Sequence, residues 1–166
     1  MWNGGYITGC GYVDLLQQLK QKVASTNIHS TTEILEMVKD IDETSSLPFD
    51  AKRETHWMFT YQTIIDDKET FRVAIVDPSD NMEYRVLNKL TCTIWLDSDA
   101  AEKLISQVTS HIRPISDFEN RDQAVQYYYD IMGQLFGIGS NESASVSNNF
   151  DMVVGYVDGY VTVFDT

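Results

Sequence analysis

Two cysteines and three histidines are the side chains here that could serve as strong nucleophiles, neutral bases or soft metal ligands. Cys10 sits in a glycine-rich start, after Gly4-Gly5 and between Gly9 and Gly11. Cys92 sits in an alternating apolar run and reads as a small core residue. One disulfide is allowed but not required. Met1 to Gly11 carries neither a basic n-region nor an apolar h-region, so the sequence reads as a cytoplasmic chain with free thiols. Nucleophilic use of Cys10 requires a base, and no histidine neighbours it in sequence, so the fold would have to assemble a Cys–His pair in space. His29, His56 and His111 fall in a turn, at a strand start and at a helix end. None stands four residues from another and H-E-x-x-H is absent, so zinc ligands at recognised spacing are missing. His111 has a plainer use, as a cation near a helix C-terminus. No cofactor or metal is expected.

The paired carboxylates have local uses as well. Asp77 and Asp80 flank the turn sequence Pro78-Ser79, and Asp97 and Asp99 precede a helix that Asp99 would cap, with Glu102 three residues on. The run from Asp77 to Glu83 comes nearest to a calcium loop but lacks its spacing. Gly9-x-Gly11 lacks the third glycine of a phosphate cradle, and neither G-x-x-x-x-G-K nor G-x-S-x-G occurs.

Charge distribution is more informative. The 166-residue chain has a formal net charge of -13. From Asp97 onward the only Lys and Arg residues are Lys103, Arg113 and Arg121. Beyond Arg121 there is no Lys, Arg or His, while Asp122, Asp130, Glu142, Asp151, Asp158 and Asp165 share that stretch with Tyr127, Tyr128, Tyr129, Tyr156 and Tyr160. Such a balance disfavours direct nucleic-acid binding and anionic membranes, which call for clustered Lys and Arg. It favours a basic protein partner. Tyrosines supply large amphipathic anchors, and carboxylates steer a cationic surface. The candidate partner-binding residues are Tyr127, Tyr129, Asp130, Asp151, Tyr156, Asp158, Tyr160 and Asp165. In size and charge the chain resembles small acidic immunity proteins and phage-borne anti-defence proteins. That likeness implies a non-catalytic inhibitor that neutralises a basic protein such as a nucleic-acid enzyme. The alternative is a small enzyme or ligand-binding domain with a pocket between sheet and helices, lined by Trp57, Tyr61 and Trp95. Oligomeric state has no signature.

The elements that must position these residues follow from periodicity. Val13, Leu15, Leu16, Leu19 and Val23 form one stripe of a helix over 12–24, and Ile34, Leu35, Val38 and Ile41 one over 31–42, opened by the capping box Ser30-Thr31-Thr32-Glu33. Residues 42–54 read as a loop. Alternation from Trp57 to Ile65, from Phe71 to Ile75, from Met82 to Leu87 and from Leu90 to Leu96 predicts an antiparallel meander, with Asp66 to Glu69 as a polar connector. A third helix carries Leu104, Ile105, Val108 and Ile112 inward and ends before Pro114. A fourth spans about 119–136, with Tyr128 at the centre of its buried stripe, Asp122, Gln126 and Asp130 outward, and Gly137 as C-cap. Residues 139–149 read as a polar loop. Strands at 151–157 and 160–164 close the chain around an Asp158-Gly159 turn, and this hairpin should join the same sheet. The expectation is a single α+β domain over 1–166: an antiparallel β-meander plus a C-terminal β-hairpin, with about four helices packed on the sheet.

Overall fold

A computed structural model of the chain describes residues 5–77, 82–95, 100–144, 146–147, 149–155 and 161–164. The architecture is α+β, with a four-stranded antiparallel sheet in the order β1-β2-β3-β4. The chain divides into two compact units, one made of residues up to Leu87 and one beginning at Asn88.

The first unit holds β1 (Ile7–Cys10), α1 (Val13–Ser25), α2 (Thr31–Thr44), α3 (Phe49–Arg53), β2 (His56–Ile65), β3 (Lys68–Val76) and β4 (Tyr84–Val86). The stripes of α1 and α2 bury Leu15, Leu19, Ile34, Val38 and Ile41 against Trp57, Phe59, Ala74 and Val76 of the sheet. Leu16 and Val23 pack against that core, whereas Val13, in the first turn of α1, is exposed. Ser30 caps α2 as its sequence requires: its Oγ accepts from Glu33 N–H at 3.3 Å, and Glu33 reaches back to His29 N–H at 3.1 Å. Lys22 and Asp40 form an ion pair between α1 and α2.

β2 and β3 pair from Trp57 opposite Val76 to Ile65 opposite Lys68, leaving Asp66 and Asp67 as a two-residue turn. Both have positive φ, 51° and 59°, as a type I′ turn requires. Ala74 and Val76 carry the face of β3 that packs on α1 and α2, and Ile75, on the opposite face, is buried as well. The pairing of Phe59 with Ala74 puts the larger residues on the opposite face. The strand β1 and the short helix α3 arise where the sequence shows a glycine-rich start and a loop.

The second unit holds α4 (Ala100–His111), a 3-10 turn at Ile115–Asp117, α5 (Arg121–Glu142), β5 (Met152–Gly155) and β6 (Val161–Phe164). Leu104 and Val108 of α4 and Ala124 of α5 are buried. Asn120 caps α5, its side chain accepting from Gln123 N–H at 2.9 Å. The capping role foreseen for Asp99 lies outside the described residues.

Three expectations are corrected here. Gly137 does not end its helix, which continues to Glu142. Gly139 is buried inside it because a Cβ there would stand 3.2 Å from Val146 Cγ1, so the glycine makes room for the returning chain. Residues 90–95 form no strand: Leu90 turns the backbone with φ 56°, and the following residues line a cavity rather than pair. The hairpin β5-β6 is a sheet of its own, not an extension of the first. Its register sets Gly155 opposite Val161, and the turn foreseen at Asp158-Gly159 lies outside the described residues.

Candidate functional site

The C-terminal candidates fall on α5 and the segment that follows it. Tyr127 and Tyr128, adjacent in the second and third turns, fold back on the exit from α4. Tyr127 Oη donates to the His111 carbonyl at 2.9 Å. Tyr128 Oη donates to the Arg113 carbonyl at 2.6 Å and accepts from Arg113 N–H at 2.9 Å. The rings pack edge to face with centroids 5.4 Å apart, Phe118 lies against both, and the Arg113 guanidinium sits 5.0 Å over Tyr127. Those backbone groups follow the end of α4, where carbonyls lose their helical partners. Tyr127 is therefore half-buried and its hydroxyl is committed within the chain.

Tyr129 points elsewhere, its ring 5.3 Å from that of Phe150, which in turn stacks on Phe136 at 5.0 Å and 10°. Asp130 and Asp151 each follow one member of that ring contact, and both are exposed. Gln126 donates to Asp130 at 2.9 Å, one helical turn away. The fold thus brings the Tyr129 ring to Phe150, the residue before Asp151, while Tyr127 packs on Phe118 and Tyr128 instead. Tyr156, Asp158, Tyr160 and Asp165 lie outside the described residues.

The residues foreseen as lining a pocket divide between the two units. Trp57 is core and Tyr61 packs against that core. Trp95 belongs to the second unit, where it lines an apolar cavity of about 270 Å³ with Leu104, Val108, Met132, Phe136 and Val146. Cys92 is half-exposed at that cavity rather than a core residue, its Sγ 3.6 Å from Thr109 Oγ1.

Sequence reading missed a third arrangement, because only strand pairing reveals it. Cys10 stands directly opposite His56 across β1 and β2. The β2–β3 register, continued one residue past Trp57 and Val76, brings Asp77 beside His56, and Asp77 Oδ1 lies 3.8 Å from His56 Nδ1. Thiol, imidazole and carboxylate therefore occupy one row across three strands. Burial raises the Cys10 thiol pKa, with the backbone of His56 pulling the other way. Among the described residues no group of three or more His, Cys, Asp or Glu side chains could hold a metal ion, so the row does not converge on one point.

The glycines explain how Cys10 reaches that row. A Cβ on Gly9 would run into the His56 carbonyl oxygen and stand 2.8 Å from Leu16 Cδ2. One on Gly11 would stand 2.5 Å from the Glu54 carbonyl oxygen and 2.6 Å from Thr55 Cα, and φ there is +117°. Thr55, fully buried, accepts from Tyr12 N–H at 3.1 Å and donates to the Ala51 carbonyl at 3.2 Å. Gly9-Cys10-Gly11 is thus pressed against residues 54–56. Among the described residues no helix is long and apolar enough to cross a membrane. No family model, curated protein or solved structure matches the chain, so its sites are read from their own chemistry.

Proposed function

We propose that the chain is an acidic inhibitor that docks on a basic protein and neutralises it by covering its cationic surface. One observation carries the reading: two exposed carboxylates, Asp130 and Asp151, flank the Tyr129–Phe150 ring contact in a stretch without a single Lys, Arg or His after Arg121. Phe150 is buried and holds the half-buried Tyr129 ring in place, so Tyr129 loses little entropy on binding, and the carboxylates next to the two rings in sequence steer a cationic partner and reject anionic ones. Inhibition of this kind needs contact alone. A nucleic-acid enzyme is the class of partner that fits, because its phosphate-binding surface presents the cations these carboxylates would meet. The immobilised chain should retain a basic protein from host lysate at low salt and release it at high salt, where surface charges are screened. Retention of no basic protein at low salt overturns the proposal.

A further inference from the structure

We infer that the apolar cavity of the second unit is a binding site for one small, uncharged aromatic molecule of about two fused rings. The inference does not rest on the acidic docking surface.

Four segments wall this cavity: residues 92–95, α4 through Leu104 and Val108, α5 through Leu135 and Phe136, and Val146, which Gly139 admits by lacking a Cβ. All of them belong to the second unit. Leu104 and Val108 are buried, whereas Ile94, Trp95, Leu135, Phe136 and Val146 are only half-buried, so solvent and a ligand can reach the space they line. Large apolar side chains left partly wetted around one space gain free energy when an apolar guest covers them. The alternation over 90–95 is the pattern of a half-buried strand, yet this segment pairs with none and lines the cavity instead.

Size and charge select the guest. The cavity measures about 270 Å³. A cavity of roughly 150 Å³ lined by Leu, Ile and Phe takes benzene, so this one suits about ten carbon atoms. An amphipathic helix from a partner would instead need a groove that seats anchors from successive turns. Among the described residues no charged side chain lines the cavity, so an ionised group on the guest would lose its hydration with no counter-ion to replace it. The net charge of -13 disfavours carboxylates and phosphates further. Within the lining, Trp95 and Phe136 offer ring contacts and Met132 a polarisable sulfur, which favours aromatic over alkyl guests. Thr93 and Cys92 supply a hydroxyl and a thiol for one polar substituent.

Isothermal titration of the full-length chain with 2-naphthol, uncharged at neutral pH, tests this. One molecule should bind per chain, with a dissociation constant of about 10–100 μM for a guest of about eleven non-hydrogen atoms. The charged analogue 2-naphthoate should bind at least about tenfold more weakly, and 1-decanol about threefold more weakly. Saturating 2-naphthol should slow alkylation of Cys92 by N-ethylmaleimide about threefold to tenfold, because the thiol lines the cavity. Cys10, in the first unit, should react at an unchanged rate, with mass spectrometry reading each thiol. M132W, which fills the space, should weaken binding at least about tenfold with an unchanged circular dichroism spectrum. If that variant does not fold, protection of Cys92 in the unaltered chain decides. Absence of saturable binding, naphthoate or decanol binding as tightly as naphthol, or Cys92 alkylated at the same rate with and without naphthol overturns the proposal.

Discussion

The residues around Cys10 are set by backbone clearance rather than by side-chain packing. Gly11→Ala places a methyl group against Glu54 and Thr55 backbone at a φ of +117° that L residues rarely adopt. It should cost about 3 kcal/mol in a urea denaturation series, against a few tenths for a tolerated surface change. A second consequence concerns pH. The folded-state pKa of Cys10 is raised by burial, so the unfolded chain releases this proton first. The thiol's contribution to stability is thus whole below the unfolded thiol's value, about 8.5, and is lost as pH rises through the higher folded value. Cys10→Ala should flatten the alkaline fall in melting temperature that sets in above about pH 8.5. An equal fall in both proteins would mean that other groups cause it. Neither glycine's role could be read from the sequence. A G-x-G pair says that backbone conformation is special there, but the carbonyl that excludes the Cβ is more than forty residues away.

Among the elements, those with local punctuation were legible. The capping box sets the start of α2, and alternation sets β2. The α5 stripe put Ala124 inside and Asp122, Gln126 and Asp130 outside. What escaped depends on distant partners: β1, four residues with a glycine inside, has too short an alternation to stand out, and α3 too few residues for a period. Residues 90–95 alternate well yet find no strand to pair with, which alternation cannot report. The same holds for the site: the acidic, cation-free stretch is visible as composition, but the Cys10–His56–Asp77 row exists only once the register is set. The β2–β3 turn supplies the prediction at this scale. Asp66 and Asp67 both occupy left-handed backbone, which costs an L residue about 1–2 kcal/mol. Asp67→Gly removes that strain where type I′ turns prefer glycine, and after glycine's own entropy cost it should stabilise the chain by about 0.5–1 kcal/mol. A loss of stability in thermal melts would show that Asp67 makes a contact worth more than the strain.

For the molecule as a whole, a net charge of -13 acts in two opposite directions on one titration. Self-repulsion disfavours the compact state, so salt that screens it should raise stability. The screening length falls from roughly 30 Å at ~0.01 M to roughly 10 Å at ~0.1 M salt, and the melting temperature should climb by a few degrees over that range. The proposed association with a basic partner would be driven by the same charges and should slow over the same range. Charge on the whole molecule and charge at the docking site separate by substitution. Asp130→Asn with Asp151→Asn removes two exposed carboxylates, of which Asp130 holds one contact, to Gln126, worth only a few tenths of a kcal/mol. The pair of changes should leave the melting curve within about a degree and slow association about threefold to tenfold at low salt, the difference vanishing at high salt. Stopped-flow association rates read against melting curves give both quantities. Should neutralising Asp14 and Glu36, exposed on the helices of the first unit, slow association equally, the steering would belong to the overall charge and Asp130 and Asp151 would not mark the contact.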